Sequence, residues 1–179
     1  MDEKNKIPGV SFIKRNIGTI IGLILLVIIV SISTPKFLTS SNILNLLKSN
    51  SVNAIISCGM LLAILMGEID ISVGSTVGLS GIIGAYMITN VGLPVVPTVL
   101  ICLGVGALVG IVNGVAISYL KVPAFVATLA TQSIGRGLTE IISGGVTIRV
   151  RNTGYTALGN QNVAGISIII IYAAAVLIF

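Results

Sequence analysis

The chain has 179 residues, of which 55% are hydrophobic and 8% charged, with ten lysines and arginines against five acidic residues. A soluble domain carries about 25% charged residues, so this balance excludes an ordinary soluble fold and points to a polytopic membrane protein. Histidine is absent, which excludes histidine acid–base chemistry and histidine metal ligation within the chain.

The expected fold class is all-α: a polytopic transmembrane helical bundle of about six spans. Twenty-one glycines and an aromatic share of 4% fit closely packed helices, where small residues let backbones approach. The apolar runs are continuous rather than alternating, which argues against a β-barrel. The net charge of +5 is not a nucleic-acid footprint, because Lys4, Lys6, Lys14 and Arg15 all precede the first apolar run. They read as an orientation signal that keeps the N-terminus in the cytoplasm. Residues 1–16 are therefore expected to be a basic cytoplasmic segment and residues 17–179 the membrane domain. Cys58 and Cys102 fall inside apolar runs and read as small core residues, so neither a disulfide nor a metal site is expected. No lysine follows a glycine-rich phosphate loop, so the chain is not expected to hydrolyse ATP itself, and no cofactor is assigned to it.

In chain order, the run Ile17–Ile32 is long enough to span once Ser33 and Thr34 are added. Pro35 and the SISTPKF sequence make a poor signal-peptide cleavage site, which favours an uncleaved anchor. Residues 35–50 are intermediate in polarity. Ser40, Ser41 or Asn42 could cap a short helix with Ile43, Leu44 and Leu47 on one face. An amphipathic helix at the membrane interface is the natural assignment, with the first turns of the next span as the alternative. Further spans are expected at about Val52–Met66, Thr76–Asn90, Val96–Leu120 and Ala124–Ile142. The sixth apolar run is Val163–Phe179, after a polar loop over residues 143–162. The turns between spans carry Gly92-Leu93-Pro94 and Lys121-Val122-Pro123. A chain that stops inside an apolar run is read as incomplete at its C-terminus.

The fourth span carries Cys102, Gly106, Gly110, Gly114 and Ser118 at four-residue intervals, which line one helix face. Gly78, Gly81 and Gly84 share a face of the third span, so these two spans are expected to touch through their glycines. In the fifth span Ala127, Thr131, Gly135 and Thr139 stack likewise. Arg136 and Glu140, four apart, are candidates for an intramembrane ion pair. Asn113 and Thr131 read as interhelical hydrogen-bond partners rather than substrate contacts.

The stretch Met66–Gly84, MGEIDISVGSTVGLSGIIG, concentrates chemistry. Glu68 and Asp70 lie between two apolar runs and are followed by Ser72, Gly74 and Ser75. Carboxylates cost roughly 2.5–3.5 kcal/mol each in hydrocarbon. Three readings stay open. The pair can sit at the cytoplasmic boundary, with Asp70 or Ser72 capping the third span. The stretch can be a break in the membrane whose backbone lines the translocation path. Or a carboxylate can pair with Arg136. Counting spans from a cytoplasmic N-terminus favours the first and makes the motif a structural turn.

GEIDISVGS with its glycine-rich continuation, GIVNGVAISYLKVPAFVATLAT and IGRGLTEIISGG together resemble the permease subunits of ribose-type ABC importers. FLTSSNILNLL fits the same pattern, and the resemblance covers about residues 35–145. It implies a multi-pass protein of the bacterial plasma (inner) membrane that moves a monosaccharide or a similar small polar solute by alternating access. It further implies a second permease subunit, identical or related. Two cytoplasmic ATP-binding subunits would bind ATP and magnesium, and an extracytoplasmic binding protein would deliver the solute. Surrounding lipid is the remaining partner. A secondary transporter using Glu68, Asp70 or Glu140 as a proton or cation site is the alternative, and a membrane-embedded enzyme is disfavoured for want of activated nucleophiles.

Overall fold

The computed structural model describes residues 15–163 and 165–178. The expected cytoplasmic segment 1–16 thus lies outside the described residues, apart from Arg15 and Asn16. Seven α-helices account for most of the described chain. They are α1 (Ile17–Ser33), α2 (Ser40–Leu65), α3 (Val73–Tyr86), α4 (Val95–Ser118), α5 (Ala124–Ser143), α6 (Thr153–Asn160) and α7 (Ile168–Ile178). A five-residue π turn, Met87–Val91, extends α3. The only strands among the described residues, β1 (Asn162–Val163) and β2 (Ile166–Ser167), pair antiparallel before α7.

Two compact units divide within α2, Met1–Leu47 and Lys48–Phe179. In the first, α1 ends where Thr34 turns extended ahead of Pro35, a conformation that proline imposes on its predecessor. Thr39 Oγ1 then accepts a hydrogen bond from Asn42 N (3.4 Å), and Asn42 Nδ2 donates to Phe37 O (2.7 Å). The cap of α2 is therefore Thr39 rather than Ser40, Ser41 or Asn42.

The separate interfacial helix is not what forms. Residues 40–65 make one helix, because no proline or glycine interrupts the chain until Gly59. Polar residues at 45–53 change what the helix faces without breaking its backbone ladder. Lys48, in the second unit, directs its Nζ to Asn160 Oδ1 at 2.7 Å.

In the second unit α3, α4 and α5 pack against one another, with α3 in the most extensive contact with α5. Each helix end has a local cause. Gly67 (φ +77°), Gly92 (φ +75°) and Gly144 (φ +63°) end α2, the π turn and α5 in the left-handed region where glycine has no Cβ penalty. Pro94 and Pro123 precede the first residues of α4 and α5. Lys121 adopts φ +56° without being glycine, at the tight turn where Val122 N reaches Ala116 O.

The core is thin and small-residued: Leu79, Ala85, Ile88, Ala124, Ala127 and Ala173. Large apolar side chains instead face outward, Leu103 at 66% and Ile141 at 77% exposure among them. Such a surface suits lipid and would be a liability in water. The architecture is thus a helical membrane bundle. Two helices are long and apolar enough by themselves to cross a bilayer, Ser40–Leu65 and Val95–Ser118.

The C-terminal expectations need correction. The polar loop 143–162 contains α6, whose first turn is capped by Asn152 Oδ1 accepting from Tyr155 N at 3.0 Å. The sixth apolar run is not one helix. Its first residues form the hairpin, with Gly165 at φ +83°, and only Ile168–Ile178 is helical. Eleven residues rise about 17 Å, roughly half a hydrocarbon core.

Candidate functional site

The turn Gly67–Ser72 connects α2 to α3 and is held by its own side chains. Asp70 Oδ1 accepts from Ser72 N (2.8 Å) and from Ser72 Oγ (2.6 Å). Ser72 O in turn accepts from Thr76 N at 2.9 Å and from Ser75 Oγ at 2.8 Å. Ser72 precedes α3 but makes no side-chain cap bond to it. Asp70 instead closes a turn around Ser72, the local alternative that short polar side chains offer the backbone.

From Ser72 the hydrogen bonds run inward across the bundle. Asn113 Nδ2 donates to Ser72 Oγ (2.9 Å), and Thr131 Oγ1 donates to Asn113 Oδ1 (2.9 Å). The chain Asp70–Ser72–Asn113–Thr131 therefore ties the turn to α4 and α5. Ser72 and Asn113 are only 1% and 6% exposed, so these are bonds between groups with little access to water. Thr128, one turn before Thr131, is also buried and reaches Ile69 O at 3.3 Å.

The same turn borders two cavities. One, of about 400 Å³, lies between Glu68 and the α4–α5 connection, with Lys121 and Phe125 in its wall. The motif and Lys121 therefore share one end of the bundle. The other, of about 150 Å³, is walled by Asp70, Ser72, Thr76 and Asn113 together with Gly106, Gly110 and the apolar Val73, Val77 and Val109, which make most of its lining apolar. A larger groove of about 770 Å³ runs between the α3–α4 face and α6–α7, and is mostly apolar.

The remaining candidates fall as follows. Glu68 and Asp70 are half-buried, Gly74 is exposed, and Ser75 is buried. Ser75 packs against Gly135, where an added Cβ would lie 3.1 Å from Ser75 Oγ. Helices α3 and α4 touch, but not through the facing glycine rows expected from spacing. A Cβ at Gly78, Gly81, Gly106, Gly110 or Gly114 would meet nothing within 4 Å. Gly84 is the close approach of that set, since a Cβ there would fall 2.7 Å from Cys102 Sγ and 2.5 Å from the Tyr155 hydroxyl. Cys102 Sγ donates to Ser80 O at 3.3 Å, a packing role on the α3–α4 seam. Arg136 and Glu140 are both exposed on α5. Among the described residues no group of His, Cys, Asp and Glu is placed to hold a metal ion.

Residues 42–179, which include every member of this network, match the family described as branched-chain amino acid transport system / permease component. The chain belongs to this family. Among curated members, this permease-family chain is 44% identical to the ribose import permease protein of Haemophilus influenzae over 125 residues, 70% of the chain and 38% of that protein. The ribose import permease protein of Escherichia coli K12 is 39% identical over 138 residues, 77% of the chain and 42% of that protein. The xylose transport system permease protein of the same strain is 34% identical over 125 residues, 70% of the chain and 32% of its own length. The chain thus spans about two fifths or less of the length of these relatives. No solved structure matches it.

Proposed function

We propose that this chain acts within the permease subunit of an ABC importer that moves a monosaccharide of the ribose or xylose kind. The observation that carries the proposal is the identity of 39–44% to ribose import permeases over at least 70% of the chain. The xylose relative at 34% widens the substrate class to small sugars.

Energy would come from two cytoplasmic ATP-binding subunits, and solute from an extracytoplasmic binding protein, with a second permease subunit completing the path. The chain offers no phosphate-binding loop of its own, so ATP and magnesium belong to those partners. Residues 1–16 are read as cytoplasmic and residues 17–179 as the membrane domain, in the bacterial inner membrane. Helices α1 to α5 are read as crossings. The basic N-terminal residues support this orientation, which puts Glu68, Asp70 and Lys121 at the cytoplasmic end.

Uptake of labelled ribose into proteoliposomes carrying the permease and its ATP-binding subunits, with binding protein supplied, tests the proposal. Uptake should follow internal or external ATP supplied on the side of those subunits and persist with a proton ionophore. Uptake that survives ATP depletion but collapses with the proton gradient overturns it in favour of a secondary transporter. Labelling Lys121→Cys with a membrane-impermeant maleimide tests the orientation. Reaction in inverted vesicles alone is expected, and reaction in right-side-out vesicles alone reverses the topology.

A further inference from the structure

We infer that the cavity between the Gly67–Ser72 turn and α4 is a subsite for a neutral polyhydroxylated solute, a deepening that rests on the transport reading above. Its volume is about 150 Å³. That is well above the roughly 10–15 Å³ that a single water needs on the same measure, so the cavity admits a small polar solute.

The polar groups at its wall leave a mixed set of unused valences. Asp70 spends Oδ1 on Ser72 N and Oγ, and its Oδ2 has no partner among the described residues. Thr76 Oγ1 donates its proton to Ser72 O at 3.0 Å, which leaves its lone pairs to accept. Asn113 uses one amide hydrogen on Ser72 Oγ and its carbonyl oxygen on Thr131, so its second N–H remains to donate. The wall therefore offers a strong acceptor, a weaker acceptor and a donor.

That combination selects a ligand class. A hydroxyl both donates and accepts, so neighbouring hydroxyls of a polyol can meet all three groups at once. An anion would face the Asp70 carboxylate. A bare cation would find one carboxylate and an amide N–H of the wrong polarity, with the Asn113 carbonyl already engaged. Gly106 and Gly110 complete the fit by leaving the wall open, since a Cβ at either meets nothing within 4 Å. Thr131, by holding the Asn113 carbonyl, is a positioning residue that fixes which end of the amide is free.

The glycines supply a clean test. Gly110→Val places a branched side chain at the cavity wall, where its Cβ meets nothing within 4 Å. Gly104→Val adds the same side chain on the same helix, also in open space but away from the cavity. The assembled permease with its ATP-binding subunits, without binding protein, is titrated with ribose and followed by saturation-transfer NMR. Wild type and Gly104→Val should show ribose signals, and Gly110→Val should lose them while its subunit assembly by size exclusion is unchanged. Should Gly110→Val fail to assemble, Asp70→Asn decides, because it keeps shape and loses the charge. It should weaken ribose binding about tenfold or more, the effect of losing a hydrogen bond to a charged group. Equal signals from the two valine variants, no ribose signal in wild type, or unchanged affinity in Asp70→Asn overturns the subsite. Ribose binding at the cavity in an importer that takes up no ribose would sink the transport reading and leave the subsite standing.

Discussion

Replacing Asn113 by leucine measures what the buried hydrogen-bond chain contributes. The substitution is close in volume and removes two bonds of 2.9 Å each, one to Ser72 Oγ and one from Thr131 Oγ1. Neither former partner is left wholly alone. Ser72 Oγ still donates to Asp70 Oδ1, and Thr131 Oγ1 can fall back on Thr128 O at 3.0 Å in its own helix. The cost is therefore set by net interhelical bond energies and not by the desolvation of orphaned groups. Such bonds average about 0.6 kcal/mol in membrane proteins, so two give about 1.2 kcal/mol. The assay is reversible unfolding in mixed detergent micelles, run as a cycle of Asn113→Leu, Thr131→Val and the double variant. The expected coupling between the two sites is about 0.6 kcal/mol, and the expected loss for Asn113→Leu alone is about 1 kcal/mol. Coupling indistinguishable from zero would refute the chain of bonds, whatever the single losses were.

Gly84→Ala should destabilise by about 1–3 kcal/mol, because its Cβ would press on Cys102 Sγ and the Tyr155 hydroxyl, whereas Gly81→Ala should be near neutral; both are read by the same unfolding assay. Gly135→Ala should cost less, about 1 kcal/mol, and Ser75→Ala in the same chain should recover part of it by removing the hydroxyl at 3.1 Å. At the α4–α5 turn, Lys121→Gly should match or exceed wild-type stability, since about 1 kcal/mol of left-handed strain at φ +56° disappears, while Lys121→Val should fall below it. Asn152→Ala removes the cap of α6 and should cost about 1 kcal/mol, seen as faster amide exchange confined to residues 153–160.

Breaks in the helices were the most legible feature of the sequence, because they are written in residues that act locally. Pro35, Gly92-Leu93-Pro94, Lys121-Val122-Pro123 and Gly144 each stand at an observed helix end. Polarity was a poorer guide. The intermediate polarity of residues 35–50 suggested a helix lying apart at the interface, yet nothing in residues 40–58 breaks a backbone ladder, and α2 runs through them. The α6 helix was hidden in a polar stretch, although Asn152 ahead of Thr153 is an ordinary cap signal. Glycine spacing identified faces but not which neighbour each face meets. Of the two rows, Gly84 alone is a contact point, and Gly135, seen only as one of a stack, is a further one outside them. The site behaved similarly. Asn113 and Thr131 stood out as polar residues in apolar runs, but the bond from Asn113 to Ser72 joins positions 41 residues apart. No local pattern encodes that.

The cost of a carboxylate near the membrane gives the motif its logic. Asp70 offsets that cost in two ways visible in its surroundings. It is only half-buried, at the end of the bundle shared with Lys121, and one oxygen takes two short bonds from Ser72. Those bonds are charge-assisted, about twice as strong as neutral ones. The same bonds orient Ser72 Oγ so that it can accept from Asn113, and this carries the effect of the charge to α4 and, through Thr131, to α5. A neutral serine or asparagine at position 70 could close the turn but would hold Ser72 less firmly. The acidic residue is therefore explained by its grip on a buried network, and its second oxygen is left for whatever enters the cavity beside it. One side chain then has two distinct faces: Oδ1 holds the turn, and the carboxylate also lines the cavity beside it.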